Sequence, residues 1–320
     1  MRFLKFSHYL PTVNGLLSNT IHRRARFPFY ASFKITSRCH FGCPFCNVKK
    51  KPVEDLSLSS VKKILDNLSE SSVLMTSLEG GEPLLRDDIY EILQYARPLK
   101  FHLLFTTSCK DLLDYPLEKY APLIDFLHIS IDEGHNNLEM FDHLPDLSKL
   151  PTQISVQTVV TNDTVESLDQ KIETCNRNGV NIVVIPASPM EGARNCFPDQ
   201  EVLENKIIDL KKRYPSTIHT PNGYFKAFKS GRCSSSSIII APSGKLYYPC
   251  HIQGHEGPDL TQTNLMRWLK TSEAEKYRTE MKHCDKNCGW YQYYSIDSYT
   301  SPFTFWDSIK PMILQKKKRM

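Results

Sequence analysis

The sequence predicts an α/β fold. It is either a partial (βα)6, TIM-like barrel or an open doubly wound parallel sheet, followed by a small cysteine-rich C-terminal module. Three observations lead there. Strand-like and helix-like segments alternate about six times between Tyr30 and Arg213. The residues best suited to chemistry fall where those strands end. Near residue 215 the rhythm stops, and a hairpin signal followed by paired cysteines replaces it. Six units are too few to close an eight-fold barrel, and in either remaining architecture ligands gather at the C-terminal ends of the strands.

The first strand spans residues 30–36 and runs directly into a cysteine cluster. A helix at 57–69 follows, with Leu58, Val61, Ile64, Leu65 and Leu68 on one face. A strand at 73–78 leads into Gly80-Gly81-Glu82-Pro83. Next come a helix at 87–97, a strand at 101–107, a short helix at 116–122 and strands at 125–131 and 153–160. The helix at 164–178 has a capping box of Asp163 and Glu166 at its start and Gly179 as its stop. A strand at 181–186 and a helix at 199–213 complete the series. Beyond it, 238–241 and 245–248 read as a hairpin and 264–281 as a helix.

With 320 residues, 40% of them hydrophobic, the chain can build a real core. No apolar run reaches the roughly 18 residues of a membrane span, and no secretory signal is read, so a cytoplasmic protein is expected. The net charge of +5 is concentrated at the ends. Residues 1–29 carry Arg2, Lys5, Arg23, Arg24 and Arg26 and no acid, and 307–320 carry five basic residues against Asp307. The interior is net acidic, so no nucleic-acid groove is expected. Basic charge beside Phe3, Leu4, Phe6, Trp306 and Ile313 suits peripheral contact with an anionic membrane. Solvated tails with a few core anchors are the preferred reading.

Ten cysteines without a secretory signal point to metal rather than disulfides. Cys39-His40-Phe41-Gly42-Cys43-Pro44-Phe45-Cys46 offers three thiolates from one tight loop. These can hold three corners of an iron–sulfur cubane and leave the fourth iron open to a small molecule. Zinc completed by His40 or a distant ligand is the alternative.

This spacing after a first strand, with Gly80-Gly81-Glu82-Pro83 after the second, resembles the radical S-adenosylmethionine (SAM) superfamily. The resemblance implies that Cys39, Cys43 and Cys46 hold a [4Fe–4S] cluster whose open iron binds SAM. Gly80, Gly81, Glu82 and Pro83 would meet its methionyl amine, and Phe45 its adenine. Thr106 or Thr107, with Ser130 and Asp132, would lie near ribose or substrate. The chain departs from the family's usual third-strand turn, having Thr107-Ser108 there. The implied reaction is reductive cleavage of SAM to a 5′-deoxyadenosyl radical that modifies an unactivated C–H bond or alkene. A reducing partner such as flavodoxin or ferredoxin is implied as well.

Cys233, Cys250, Cys284 and Cys288 are similar to the SPASM/twitch extensions of that superfamily, which implies one auxiliary [4Fe–4S] cluster. Structural zinc on the same four thiolates is the alternative. Gly244 and Cys250 stand one residue further apart than is usual, and the last group has only two cysteines. The ending Cys284-x3-Cys288-Gly289-Trp290 also resembles adenosyl hopene transferase-like enzymes, which implies a lipid-like substrate. Cys175 reads as core, and Cys109 and Cys196 as candidates for returning hydrogen to a substrate radical. His251 and His255 read as solvated loop residues. The expected division is a basic extension (1–29), a radical SAM core (30–215), an auxiliary-cluster module (216–300) and a basic tail (301–320). The substrate is expected to be a peptide, a lipid or a small metabolite, and the short N-terminal extension leans toward a non-peptide. The competing class is a non-enzymatic zinc scaffold with two cysteine-rich modules.

Overall fold

The computed structural model describes residues 2, 4–21, 26–50, 52–188, 196–231, 233–234, 236–286, 288–296, 306, 310–311 and 313–314. Most of the basic C-terminal tail, together with Phe3, Arg23 and Arg24, lies outside the described residues.

Runs rich in β-branched and aromatic residues form six strands: β1 (Tyr30–Thr36), β2 (Met75–Gly80), β3 (His102–Thr107), β4 (Phe126–Ser130), β5 (Gln153–Val160) and β6 (Asn181–Pro186). They lie side by side in sequence order, and every neighbouring pair is parallel. The sheet continues past β1. There β7 (Ser237–Ile240) pairs in parallel with β1, and β8 (Lys245–Tyr247) and β9 (Glu256–Asp259) add antiparallel. The expected C-terminal hairpin thus extends the same nine-stranded sheet, whose order is β6-β5-β4-β3-β2-β1-β7-β8-β9.

The helices are α1 (Phe6–Ile21), α2 (Leu58–Ser69), α3 (Ile89–Ala96), α4 (Leu117–Tyr120), α5 (Leu144–Leu147), α6 (Leu168–Arg177), α7 (Gln200–Arg213), α8 (Asn222–Lys229), α9 (Leu265–Trp268), α10 (Ser272–Lys282) and α11 (Tyr291–Ser295), the last of which reaches the cavity described below. In α2, Val61, Ile64, Leu65 and Leu68 are buried as their spacing requires. Asp199 caps α7 by accepting from the amides of Glu201 and Val202. Asn67 ties the C-terminal segment to α2: its amide group donates to Leu260 O and Thr263 O, and its oxygen accepts from Leu265 N.

Three sequence expectations change. The helix expected from 164 starts at Leu168, so Asp163 and Glu166 do not cap it; Glu166 pairs with Lys206 instead. The helix expected over 264–281 breaks at Thr271, whose side chain caps a new start. Residues 6–21, read as part of a tail, form α1. Ahead of it, the backbone amide of Arg2 donates to Asp125 Oδ1 at 2.9 Å, and its guanidinium donates to the carbonyls of Leu99 and Phe101. Together with Arg97 this fixes the N-terminal end of the sheet, and, against burial, hydrogen bonds from His102, Arg2 and Leu103 hold the Asp125 carboxyl well below its usual range. Among the described residues, no helix is long and apolar enough to cross a membrane.

Candidate active site

Strand β1 ends at Thr36 and delivers the chain into the cysteine loop. Cys39, Cys43 and Cys46 all line one cavity of about 910 Å³ on the inner face of the sheet. The loop turns on itself through Cys46 N donating to Cys43 O at 3.2 Å. The Phe41 amide donates to Cys39 Sγ at 3.4 Å, so one sulfur already has a backbone donor. Burial, then the neighbouring Cys46, Asp132 and Cys39, push the Cys43 thiol up to about 12. Burial likewise raises Cys39, opposed by the Phe41 amide.

The Gly80-Gly81 pair explains how the loop is held. Gly80 has φ +151°, and a Cβ there would lie 2.3 Å from Thr36 O. A Cβ on Gly81 would lie 2.0 Å from Arg38 O. Both glycines let the end of β2 press against the backbone that leads into Cys39. Gly81 N donates to Thr36 O at 2.9 Å and Glu82 N to Arg38 O at 2.7 Å. Gly80, Gly81 and Phe45 line the cavity.

Glu82, Pro83, Thr107, Ser130 and Asp132 are not among its lining residues. The Glu82 carboxylate is turned into the protein. It accepts from Thr107 Oγ1 at 2.8 Å, Ser108 N at 2.9 Å and Leu84 N at 3.1 Å. It therefore joins the end of β2 to the end of β3. Asp132 is also buried, and it accepts from His135 N, His135 Nδ1 and Val159 N at 2.9, 2.8 and 3.0 Å. This carries His135 to the cavity wall, edge-on to Phe41 and Phe45 with ring centroids 5.5 Å from each. Gly134 is required there, since a Cβ would lie 2.1 Å from Phe45 Cε1. Thr106, the alternative expected with Thr107, does reach the cavity, as does Ser108.

Below the loop the wall is polar, which the sequence reading missed. Glu79, His128, Gln157, Asn181 and His219 line it. Counting by twos along the strands finds the first four, because alternate residues share a face. His128 Nδ1 and Gln157 Nε2 are 2.8 Å apart. Burial lowers His128 and His219 to about 4, so both are neutral near pH 7. Among the described residues, Asn181 Oδ1 and His219 Nε2 have no hydrogen-bond partner. Burial raises the Glu79 carboxyl, and Gln292 Nε2 approaches it at 3.5 Å.

Cys109 is buried off the cavity beside Tyr115, and burial pushes its thiol up to about 11. Cys196 clusters with Cys43, Phe45 and Ala187, next to the loop. Cys175 is core, as expected.

The four remaining cysteines form a second set outside the cavity lining. Burial, then Cys250, Cys288 and Cys284, push Cys233 up to about 12, so all four are near neighbours. Cys250 is pushed up to about 11 by burial, while the amides of Gln253 and Ile252 oppose the shift. His251 is half-buried rather than a free loop residue. It stacks edge-on against Trp290 at 4.1 Å and meets Tyr293 Oη. His255 pairs with Glu280 at 2.8 Å. After Cys288 the carbonyl of Gly289 accepts from Tyr224 Oη and Ser188 Oγ. The chain then enters the cavity wall at Trp290, Tyr291 and Gln292.

Among the described residues, no three His, Cys, Asp or Glu side chains converge on a point where one metal ion would sit. Mononuclear zinc needs thiolates all about 2.3 Å from one ion. A cubane takes each thiolate on a different iron, which asks for wider separation. The clustered, partly buried thiols and the amide donor to Cys39 fit that group.

A family model described as Radical SAM superfamily matches residues 33–193, just over half the chain. The mycofactocin maturase MftC of Mycolicibacterium smegmatis is 25% identical over 188 residues, which is 54% of this chain and 48% of the maturase. The chain thus spans about half the length of that relative. The PqqA peptide cyclase of Granulibacter bethesdensis is 24% identical over 283 residues, 77% of this chain and 75% of the cyclase. Among solved structures, Streptococcus suis SuiB bound to S-adenosylmethionine shares the fold with a TM-score of 0.66 at 15% identity, covering 83% of this chain and 71% of SuiB. Native anSMEcpe with bound AdoMet and a Cp18Cys peptide has a TM-score of 0.62 at 14% identity, covering 91% and 99%.

Proposed function

The chain belongs to the radical SAM superfamily, and we propose on that footing that Cys39, Cys43 and Cys46 hold its [4Fe–4S] cluster beside a SAM site on Gly80, Gly81 and Phe45. Enzymes of this superfamily use the cluster and SAM, which when bound supply an electron and a 5′-deoxyadenosyl radical able to take hydrogen from carbon. That makes the chain an enzyme of radical chemistry and sets aside the zinc-scaffold class. One observation carries the site assignment: the three thiols and the two strand-end glycines line the same cavity.

The chain's own residues then divide the work. Gly80 and Gly81 fix the loop against β1 and expose backbone to the cavity. Phe41, Phe45 and His135 form an aromatic wall beside the thiols. Glu82 and Asp132 lock the strand ends behind that wall, so the site is held by buried hydrogen bonds. The division into core (30–215) and auxiliary module (216–300) is retained as a functional one, with Cys233, Cys250, Cys284 and Cys288 holding a second [4Fe–4S] cluster. A one-electron donor such as flavodoxin or ferredoxin would serve as reductant.

The substrate we favour is a peptide. The PqqA cyclase is by name a peptide cyclase, and SuiB and anSMEcpe have each been solved with a peptide bound. The deep wall supports the same choice. His128, Gln157, Asn181 and His219 present neutral donors and acceptors suited to amides and hydroxyls. An isoprenoid chain there would leave them unpaired in a dry site. The test is anaerobic reconstitution, reduction and addition of SAM. Formation of 5′-deoxyadenosine, with about eight irons per chain, supports the reading. Zinc alone, or no SAM cleavage by fully loaded protein, overturns it.

A further inference from the structure

Helix α1 is amphipathic the wrong way round for a globular protein. At 100° per residue, Phe6, Leu10, Val13, Leu17 and Ile21 fall within an arc of about 80°. All five face outward, with exposures of 81, 47, 46, 55 and 76%. The described residues include twelve exposed large apolar side chains, and five of them make up this one stripe. Single exposed leucines need no explanation, but a continuous stripe does.

The opposite arc carries His8, Thr12, Gly15 and Asn19, and it faces the protein. Thr12 Oγ1 donates to Ser72 O at 3.0 Å. Asn19 exchanges two hydrogen bonds with the backbone of Phe27, at 2.8 and 2.9 Å. Gly15 lets the helix lie close, since a Cβ there would sit 3.0 Å from Ser72 Cβ. The helix is therefore docked by polar and small groups, and its apolar face is left for something else.

Charge identifies what covers it. Residues 1–29 contain five basic residues and no acid. Arg2 is held by Asp125, but Lys5 is exposed beside the start of the helix. Arg23, Arg24 and Arg26 follow its end in the sequence. Lys100 from the neighbouring segment joins them: after burial, Lys100, Lys5 and Arg2 are what depress His8. A second copy of the chain laid on this stripe in either direction would bring two cationic helix ends together without a balancing acid from the segment. An apolar stripe with basic residues at both ends matches a helix lying in the interface of an anionic bilayer.

We propose that α1 is a membrane-docking helix that seats the enzyme on anionic lipid through Phe6, Leu10, Val13, Leu17 and Ile21. This surface is separate from the cavity and holds whatever the substrate is. The test is flotation of the full-length, cluster-loaded protein with vesicles of phosphatidylcholine containing about one-third phosphatidylglycerol, against phosphatidylcholine alone. The full chain is expected to float with the anionic vesicles only, and to be released by high salt. The double variant Leu10→Asp/Leu17→Asp should lose at least about tenfold in binding, and Lys5→Glu about threefold. Both should keep 5′-deoxyadenosine formation and a melting temperature near the parent's, because these side chains are exposed and line no part of the cavity. The milder Leu17→Ser checks the result if the double variant unfolds. Failure of the parent to float, or equal flotation of parent and folded variants, overturns the proposal. So does a dimer in solution that Leu10→Asp/Leu17→Asp converts to monomer, which would assign the stripe to a second copy.

Discussion

Cys39, Cys43 and Cys46 line the cavity at the strand ends, whereas Cys233, Cys250, Cys284 and Cys288 stand behind Trp290 and Tyr291, outside it. Both sets are thiols crowded together and partly removed from water, and burial raises Cys43 and Cys233 alike to about 12. The difference is in number and access. Three thiols facing a cavity would leave a cubane corner for an incoming ligand; four thiols beside Tyr293 and Tyr294 would leave none. On the proposed assignment, identical ligand chemistry would take on two tasks according to the wall in front of it. The five residues from Cys288 to Gln292 connect the second set to the chamber of the first.

The contrast breaks most visibly by removing one thiol from each set. Cys43→Ala should abolish 5′-deoxyadenosine formation, a loss of at least about 10³-fold, and lower iron from about eight to about four per chain. Cys288→Ala should lose a similar amount of iron yet keep substrate-free SAM cleavage within about threefold, while losing product turnover. If the two variants behave alike, the sets are not functionally distinct.

The framework of the first set offers a smaller test. Gly81→Ala forces a Cβ into Arg38 O, and Glu82→Ala strands the donors of Thr107 and Ser108. Each should destabilise the protein by about 2–4 kcal/mol in a denaturant titration. Glu79→Gln, on the cavity side, should leave stability within about 1 kcal/mol and change substrate affinity instead.

A separate effect is on pH. His128 and His219 titrate near 6.5 when unfolded and near 4 when folded. Between those values the unfolded chain binds more protons, so their stabilisation is complete above about pH 6.5 and is lost as pH falls toward 4. Unfolding measured at pH 7 and pH 5 should show this loss, and His128→Gln should reduce it.

Much of this was legible in the sequence. The six parallel strands announced themselves by apolar runs between helical patterns, and the cysteine spacing by its rarity. What escaped was set by contacts between distant segments. Glu82 lies in a motif that suggests ligand binding, yet its oxygens are taken by Thr107 and Ser108, some 25 residues away. His135 gains its place only through Asp132, Gly134 and Phe45. Helix α1 was missed because its buried face is polar and its apolar face is outside, and it contains Pro11. Its hydrophobic pattern gave no sign of which side would face the core.

The most direct measurement is electron paramagnetic resonance of the anaerobically reduced, reconstituted protein with and without SAM. The open corner on Cys39, Cys43 and Cys46 requires that SAM alter the signal of one cluster, and that this alteration disappear in Cys43→Ala and persist in Cys288→Ala. A spectrum indifferent to SAM, or one still shifted by SAM in Cys43→Ala, would contradict it.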